Sequence, residues 1–346
     1  MIRSYETDKE ACISYHHTDT CVNIADIFTC AIMMSSTCQG EDDGMKRMLD
    51  MASKELTGLD RQGFLYAIRA SEGRTIASET IGIAMPMLVD ITNAEFAASQ
   101  GADIIILNMF DCLEPHIEAL PECMPSETIR CLKRLCGRPV GVNLEPCPPS
   151  SGDSIWAMKR GRMANAENAR ILADMGADFI LVTGNPGNGV DNDAIADALS
   201  SISSAVGDRI AIAAGRMHAS LVLDQAANDI VGLDDVERFA SAGADIILIP
   251  APMTVPGIDT RRVQSLVRRI HSLGRLAMTS IGTSQEGSDV DTIRRIALEC
   301  KAAGADIPHI GDSGYMGMAL AENIFAYSVA IRGVRHTYRR MASARR

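Results

Sequence analysis

The sequence predicts an α/β fold, a (β/α)8 TIM barrel with an N-terminal helical cap. Four apolar runs follow the residues Gly-Ala-Asp, and four others that lie between them follow Gly-Arg. Helical patterns of suitable length separate the eight runs. Eight βα units in strict alternation are typical of a closed barrel. A doubly wound open sheet is the alternative, but it does not explain why two entrance motifs alternate along the chain.

The Gly-Ala-Asp runs are predicted to be the even-numbered strands. The glycine ends the preceding helix, for example "NAENARILADM", because glycine reaches the left-handed cap conformation without strain. The apolar residues that follow are typical of a parallel strand buried on both faces. The four segments are "GADIIILNMF" at 101, "GADFILVTGNPG" at 176, "GADIILIPAP" at 243 and "GADIPHIGDSG" at 304.

The Gly-Arg runs are predicted to be the odd-numbered strands, with Asp208 inserted into one of the four entrances. They are "EGRTIASETIG" at 72, "CGRPVGVNLEP" at 136, "GDRIAIAAGRMH" at 207 and "LGRLAMTSIGT" at 273. Helices are expected near 126–136, 163–175, 258–273 and 288–303. A further helix near 59–72 is expected to cap the bottom of the barrel. Around the lower rim we expect at least two contacts between the entrance arginines and the entrance aspartates.

Residues 1–44 differ from the rest of the chain. They hold four of the ten cysteines and show no clear periodicity, and a new pattern opens at Met45. We interpret 1–44 as an extension that is either disordered or the product of a misassigned start, and 45–346 as the barrel. No function is placed in the extension.

Composition excludes several classes of partner. The formal net charge is −11 and aromatic residues make up 4% of the chain, which argues against binding to nucleic acid and to anionic membranes. No stretch is long and apolar enough to span a membrane, and no signal peptide is visible. The cysteines form no CxxC pair, as expected for reduced thiols in the cytoplasm. We expect a cytoplasmic homo-oligomer.

Polar residues at the predicted strand ends indicate the site, because barrel active sites lie at the carboxyl ends of the strands. Side chains alternate along a strand, so positions counted from the entrance Arg or Asp should share one face. Burying an unpaired charge there would cost several kcal/mol, which favours a functional role over polar groups that only close the barrel. The catalytic candidates are Glu79, Glu145, His218 and His309, and the substrate-binding candidates at strand ends are Asn108, Asn143 and Arg216.

A divalent metal is a second interpretation of part of this set. Glu79, Glu145 and His218 are the metal candidates, because oxygen and imidazole ligands suit Mg²⁺, Mn²⁺ or Zn²⁺. No cofactor is required by any motif. No lysine lies on a predicted strand end, so a Schiff-base mechanism is not expected.

The loops after strands seven and eight are predicted to bind a phosphate. These loops form the phosphate site of many barrels, because glycines let backbone N–H groups approach an anion. A carboxylate repels phosphate, so we expect Asp312 to turn away and to bond a neighbouring loop. The alternative is that "HIGDSGYMGM" is only a turn. The predicted phosphate-binding residues are Gly282, Thr283, Ser284, Gly311, Ser313 and Gly314.

Several of these segments resemble an uncharacterised bacterial TIM-barrel family. They include "GRPVGVNLEP", "LVTGNPGNGV", "TSIGTSQEGSDVDTIR" and "HIGDSGYMGMALAENI". Members of that family are often labelled phosphoenolpyruvate phosphonomutase-like or haloacid dehalogenase-like, and a looser similarity is to BtpA-like barrels. The resemblance runs from about Met45 to the C-terminus and implies a barrel, but it supplies no established catalytic residues.

Two functions are consistent with these observations. The first is an enzyme that acts on a small phosphorylated sugar or acid by general acid/base chemistry, as an isomerase, epimerase or lyase rather than a hydrolase, with or without a metal. The second is a non-catalytic ligand-binding or assembly protein on a TIM-barrel scaffold, since a fold alone does not define a function.

Overall fold

We analysed a computed structural model of the chain. The structure describes residues 46–147, 157–184, 190–217, 230–282 and 284–343. His218 and Thr283, two of the predicted site residues, lie outside the described residues, as does the segment 1–45. The proposed boundary between an extension and the barrel therefore stays a prediction.

Eight parallel strands close into a barrel in the order of the chain, and β8 pairs with β1. This confirms the predicted fold class. The strands are β1 Ala77–Ile81, β2 Ile104–Asn108, β3 Val140–Leu144, β4 Phe179–Val182, β5 Ala211–Gly215, β6 Ile246–Pro250, β7 Leu276–Ile281 and β8 Ile307–Ile310.

Among the described residues, two α-helices precede the first strand, and an α-helix follows each of the eight strands. They are α1 Ser53–Thr57, α2 Arg61–Arg69, α3 Asn93–Ser99, α4 Thr128–Cys136, α5 Ala166–Met175, α6 Asn192–Val206, α7 Leu233–Ser241, α8 Thr260–Ser272, α9 Val290–Ala303 and α10 Ala321–Ala342. Side chains such as Asp60, Thr92 and Asn165 accept hydrogen bonds from the first turns of their helices. Gly176 and Gly304 end α5 and α9 with φ of 94° and 90°, as the Gly-Ala-Asp motif predicts. In the described part of the chain, no helix is both long and apolar enough to cross a bilayer.

The lower half of the barrel interior is apolar and packs on α2. Phe64 from α2 stacks on Phe179 from β4, with ring centroids 5.5 Å apart. The ring of Phe179 fills the space beside Gly141, where an added Cβ would lie 2.2 Å from the ring. The predicted helical cap therefore closes the bottom of the barrel, and β3 carries glycine at this level because its neighbour supplies the bulk.

The inward positions of β5 correct one prediction. Ala211 and Ala213 belong to the interior cluster, whereas Ala214 packs with the outer helices. Arg216 therefore stands at a position that faces the outer helices, whereas Glu79 and Asn143 stand at inward-facing positions. The cause is the inserted Asp208, which places the entrance arginine of β5 one position further along the chain than on the other odd strands. Counting from the entrance glycine gives the observed face on all four odd strands.

Each Gly-Ala-Asp aspartate joins its strand to the preceding odd strand through two hydrogen bonds. Asp103, for example, donates its N–H to the carbonyl of Ile76, and its carboxylate accepts from the N–H of the same residue. The equivalent pairs are Asp178 with Val140, Asp245 with Ile212 and Asp306 with Ala277. These two hydrogen bonds give the aspartate of the motif the same structural role on every second strand.

The expected ring of Arg–Asp contacts at the lower rim is largely replaced by other partners. Of the eight entrance residues, all of which are described, Arg275 and Asp245 form an ion pair at 3.5 Å. The other three aspartates pair with Lys133, His271 and two arginines of α10. The prediction of at least two such contacts is wrong, because helix residues reach the aspartates first.

The buried cluster under β2 ties α10 to the barrel. Arg332 and Arg340 form ion pairs with Asp103, and all three side chains are almost fully buried. Arg138 is completely buried beside them and donates to the carbonyls of Ala102 and Arg340. Burial opposes ionisation of Asp103, but the charges of Arg332 and Arg340 outweigh it, so its pKa lies below the ordinary value.

Candidate active site

Polar side chains from five strands converge inside the upper end of the barrel. Each stands at an inward position near the carboxyl end of its strand, where small barrels place their reactive groups. His309 is completely buried and Glu79 is 3% exposed. The five residues are Glu79 on β1, Asn108 on β2, Asn143 on β3, Ser280 on β7 and His309 on β8. The structure thus brings together four of the predicted site residues, with Ser280 as an additional member.

His309 lies between a hydroxyl and a carboxylate. Its Nδ1 is 2.7 Å from Ser280 Oγ, and its Nε2 is 3.3 Å from Glu79 Oε2. The second contact is within ion-pair range, but no described residue is placed in hydrogen-bond geometry to Nε2. The line Ser280–His309–Glu79 thus places an imidazole, which can carry a proton near neutral pH, beside a buried carboxylate.

Two asparagines extend this line across the mouth of the barrel. Asn143 Nδ2 is 3.4 Å from both Glu79 Oε1 and Asn108 Oδ1. Asn108 Nδ2 donates to Asp312 Oδ2 at 2.8 Å. The asparagine amides therefore connect the buried carboxylate of Glu79 to a carboxylate on the loop after β8.

Asp312 points over the mouth, contrary to the expectation that it turns away. It accepts hydrogen bonds from Asn108, at the end of β2, and from the backbone N–H of Gly314 at 2.9 Å. Burial and the charge of Glu79 raise the pKa of Asp312 to about 6. Its position is set by the loop, because Ser313 has a left-handed backbone (φ 55°) that turns the chain back on itself.

Glu286 is a further buried carboxylate that reasoning from strand positions missed. It lies in the 3-10 turn Gln285–Gly287 after β7. Burial raises its pKa and the charge of Glu79 adds to this, while backbone N–H groups of Glu286 itself and of Ser284 and the ring of His309 act in the opposite direction. Three carboxylates thus act on one another at the top of the barrel.

Glu145 and Arg162 form a separate buried ion pair at the end of β3. Arg162 Nη2 lies 2.7 Å from Glu145 Oε1. The backbone joins the same two residues, because the N–H of Glu145 donates to the carbonyl of Arg162. The carboxylate of Glu145 is therefore held by a cation, which weakens the case for it as a metal ligand.

Arg216 is almost fully buried at the end of β5. Burial lowers its pKa, and the charges of Asp235 and Asp191 oppose that shift. Those aspartates lie at the beginnings of α7 and α6, so acidic groups of the helical layer are near enough to act on its charge. Its predicted role in substrate binding stays a prediction.

The loops after β7 and β8 lie side by side at the mouth. An added Cβ on Gly287 would meet Ser313 Oγ at 3.9 Å. Gly311 is tightly enclosed, since a Cβ there would lie 2.8 Å from the carbonyl oxygen of Ile281. Gly314 has φ of 58°, and no heavy atom of the described residues lies within 4 Å of its Cβ position. Gly282 stands next to Met217, whose sulfur would lie 2.9 Å from a Cβ.

Several buried polar atoms at the mouth have no hydrogen-bond partner among the described residues. Native proteins pair nearly all buried polar atoms, so these are positions that a ligand or water can complete. Similar atoms also lie elsewhere in the barrel, for example Thr75 Oγ1 and Asp103 Oδ1. Four of these atoms are Asn143 Oδ1, Glu286 Oε2, His309 Nε2 and Ser313 Oγ, and Thr183 Oγ1 at the end of β4 is a fifth.

The metal hypothesis gains no geometric support within the described residues. No group of three or more His, Cys, Asp and Glu side chains there is arranged to hold a metal ion. His218, the third metal candidate beside Glu79 and Glu145, lies outside the described residues. A metal on these three residues therefore stays a prediction.

Part of the chain is similar to curated sugar-phosphate proteins. A Haemophilus influenzae protein, provisionally named an N-acetylmannosamine-6-phosphate 2-epimerase, is 38% identical over 90 residues, which are 26% of this chain and 34% of that protein. An Escherichia coli K12 protein of the same name is 38% identical over 86 residues, or 24% of this chain and 31% of that protein. The chain thus spans about a third of the length of these relatives.

Solved barrels are more distant. A structure from Burkholderia cenocepacia, provisionally titled a lyase/mutase, has 18% identity and a TM-score of 0.43, and covers 74% of this chain and 82% of that one. Deoxyribose phosphate aldolase from Aeropyrum pernix has 16% identity and a TM-score of 0.43, and covers 72% of this chain and 89% of that one. A family model described as a domain of unknown function, DUF7916, matches residues 49–346, and the chain belongs to this family.

Proposed function

We propose that the protein is an enzyme that moves a proton on a small phosphorylated sugar or acid, as an isomerase, an epimerase or a lyase. The observation that carries this proposal is the buried line Ser280–His309–Glu79, close to polar atoms that have no hydrogen-bond partner among the described residues. Proton transfer next to a carbonyl needs a base, a conjugate acid and fixed hydrogen-bonding groups around the reacting carbon. The mouth of this barrel offers all three.

Glu79 and His309 are the proposed proton-transfer groups. They lie 3.3 Å apart, so one of them can take a proton from a substrate while the other supplies a proton to the same substrate. Asn108 and Asn143 are the proposed binding groups for a substrate hydroxyl or carbonyl, and the unpartnered Oδ1 of Asn143 can accept from a hydroxyl. His218 is a third acid/base candidate. Glu145 is a weaker one, because Arg162 holds its carboxylate in an ion pair at the end of β3.

The phosphate is proposed to bind at the loops after β7 and β8. Support comes from the names of the partial relatives, which specify a 6-phosphate, and from the adjacency of the two loops. Gly282, Thr283, Ser284, Gly311, Ser313 and Gly314 are the proposed contacts. The mutase and dehalogenase labels, the homo-oligomeric state and the cytoplasmic location stay predictions.

Solvent exchange tests the proposal directly. The purified protein is incubated in D2O with N-acetylmannosamine 6-phosphate and with a panel of other sugar phosphates, and the C–H signal next to the carbonyl is followed by proton NMR. We expect deuterium to replace hydrogen in at least one compound. Glu79→Gln should abolish the exchange, whereas Glu237→Gln, an exposed change on α7, should leave it intact.

The non-catalytic alternative predicts a different result. A binding protein would raise its melting temperature with a sugar phosphate, because a ligand of the folded state stabilises it, but it would exchange no proton. Binding without exchange or conversion across the panel would therefore refute the enzymatic proposal and favour the ligand-binding one.

A further inference from the structure

The loop that is proposed to bind phosphate already holds a carboxylate. The N–H of Gly314 donates to Asp312 Oδ1 at 2.9 Å, so the donor that a phosphate would use is occupied by the protein's own side chain. The second oxygen of Asp312 accepts from Asn108 at 2.8 Å. Asp312 thus binds the loop much as an anionic ligand would.

The loop after β7 repeats the arrangement. The carboxylate of Glu286 interacts with the backbone N–H groups of Ser284 and of Glu286 itself. It is 6% exposed, and its Oε2 has no hydrogen-bond partner among the described residues. Two neighbouring loops therefore direct backbone donors at internal carboxylates.

Independent observations indicate that an external ligand also enters here. Asn143 Oδ1 and His309 Nε2 belong to side chains more than nine-tenths buried, and they lack a hydrogen-bond partner among the described residues. Ser313 Oγ, between Asp312 and Gly314, is buried as well and has no hydrogen-bond partner in the described part of the chain. A bound phosphate would satisfy the Ser313 hydroxyl, but it would compete with Asp312 for the N–H of Gly314.

We propose that Asp312 is a specificity-determining residue that competes with the phosphate of the ligand for the N–H of Gly314, and that binding requires Asp312 to take up a proton from solvent. The protonated carboxyl donates a hydrogen bond to the phosphate in place of repelling it. This inference rests on the phosphate site of the proposed function. It adds that a phosphate binds to these loops only together with a proton, which Asp312 takes up.

The charges around Asp312 give the direction of this coupling. Glu79 from β1 and Glu286 from the loop after β7 both oppose ionisation of Asp312, while Asn108 and the N–H of Gly314 favour it. A dianion that takes the N–H removes one favourable contact and adds repulsion, so the pKa of Asp312 must rise further in the complex. Affinity is therefore highest below the pKa of the free protein, about 6, and falls as the pH rises above it.

Sulfate is the probe of choice, because it has the shape of phosphate and keeps both charges throughout this range. Its affinity is measured by calorimetry for the full-length protein, for Asp312→Asn and for Asp291→Asn. The last is a matched control, because it removes the same charge from an exposed position on the first turn of α9. Inorganic phosphate is measured in parallel at one pH.

For the unmodified protein we expect sulfate affinity to fall roughly tenfold from about pH 5.5 to about pH 7.5. Asp312→Asn should bind roughly tenfold more tightly than the unmodified protein at about pH 7.5 and should lose the pH dependence. Asp291→Asn should follow the unmodified protein. Calorimetry in two buffers of different ionisation enthalpy should show proton uptake that Asp312→Asn abolishes.

The outcomes separate the two proposals. If the unmodified protein binds sulfate and Asp312→Asn binds it no better and with the same pH dependence, the competition is refuted while the phosphate site stands. If no variant binds sulfate, phosphate or a sugar phosphate, both the phosphate site and the competition are refuted. Circular dichroism shows whether Asp312→Asn is folded. If it is not, proton uptake by the unmodified protein on binding sulfate is the second measurement.

Discussion

Two buried groups of charges in this barrel, Asp103 with its arginines at the bottom and the carboxylates at the top, are arranged in opposite ways. At the bottom, Asp103 is enclosed by Arg332 and Arg340, with Arg138 beside them, and its carboxylate also caps the N–H of Ile76. At the top, the negative charges of Glu79 and Glu286 add to the effect of burial in raising the pKa of Asp312, and the charge of Glu79 does the same for Glu286. One carboxylate therefore has a lowered pKa, whereas others have raised ones.

This difference separates stability from function. A buried charge enclosed by opposite charges holds elements together, and removing one partner is costly. Buried like charges make the folded state less stable unless a proton or a ligand relieves the repulsion. The bottom thus has what a structural joint needs, and the top has what a binding site needs. The following predictions test that contrast, from the largest expected effect to the smallest.

Asp103→Asn should destabilise the protein by about 3–5 kcal/mol, because it leaves buried arginines without their counter-charge. Urea denaturation followed by circular dichroism measures the change. Asp193→Asn, which breaks an exposed pair with Arg238, should cost less than about 1 kcal/mol. A loss below about 1 kcal/mol for Asp103→Asn would show that the bottom is not the structural joint described here.

Glu79→Gln should lower kcat/KM at least about 100-fold, equivalent to about 2.7 kcal/mol of transition-state stabilisation, because it removes a proton-transfer group. Its free energy of unfolding should change little or rise, since the variant relieves repulsion among the carboxylates. Rates come from the proton-exchange assay and stability from urea denaturation. If Glu79→Gln lost stability and kept its activity, Glu79 would have a structural role, and the functional role given to the top of the barrel would be wrong.

Gly314→Val should cost about 1–2 kcal/mol of stability, because its backbone has φ of 58° and a β-branched residue is strained there. No clash is expected, since the Cβ position is open. Gly314→Asn should cost less, because asparagine tolerates this conformation. We also expect Gly314→Val to weaken sulfate binding, and equal affinity in calorimetry would leave the loop as only a turn.

Asp312→Asn should stabilise the protein by about 1 kcal/mol near pH 7.5, in contrast to the same substitution at Asp103. The pKa of Asp312 is about 6 in the folded state and about 3.9 in the unfolded state, so the folded state binds the proton more tightly. The destabilisation from the charged carboxylate develops as the pH rises from about 4 to about 6 and is complete above it. Thermal melting near pH 4 should therefore show no gain, and a gain at both pH values would contradict this account.

The repeated motifs predicted the fold because they follow strand geometry. Once the strands are parallel and closed, alternation places Glu79, Asn108, Asn143 and His309 inside the top, as expected. The same rule failed for Arg216, because the inserted Asp208 moves the entrance arginine, but not the entrance glycine, relative to the strand. Using the glycine as the reference would have identified the correct face from the sequence.

The carboxylates of the two loops could not be predicted in the same way. Glu286 and Asp312 lie beyond the strands, where side-chain direction depends on the turn and not on alternation. Their positions follow from the left-handed backbone conformation of Ser284 and Ser313. The sequence does not predict this conformation, because it is usual for glycine and uncommon for serine. The Glu145–Arg162 pair likewise depends on the path of a long loop, to which strand periodicity does not apply.

The bottom joint also has a consequence for the order of folding. Ser53 donates to the carbonyl of Ser343, 290 residues away, and Arg340 binds the carbonyl of Met51 across 289 residues. Such contacts close very long loops and form late, after the local βα units. During synthesis, the strands and the catalytic candidates emerge before the last helix, so the barrel must wait for α10 before its base is sealed. We therefore expect refolding to show an early phase in which strands form and a later one in which Arg332 and Arg340 dock.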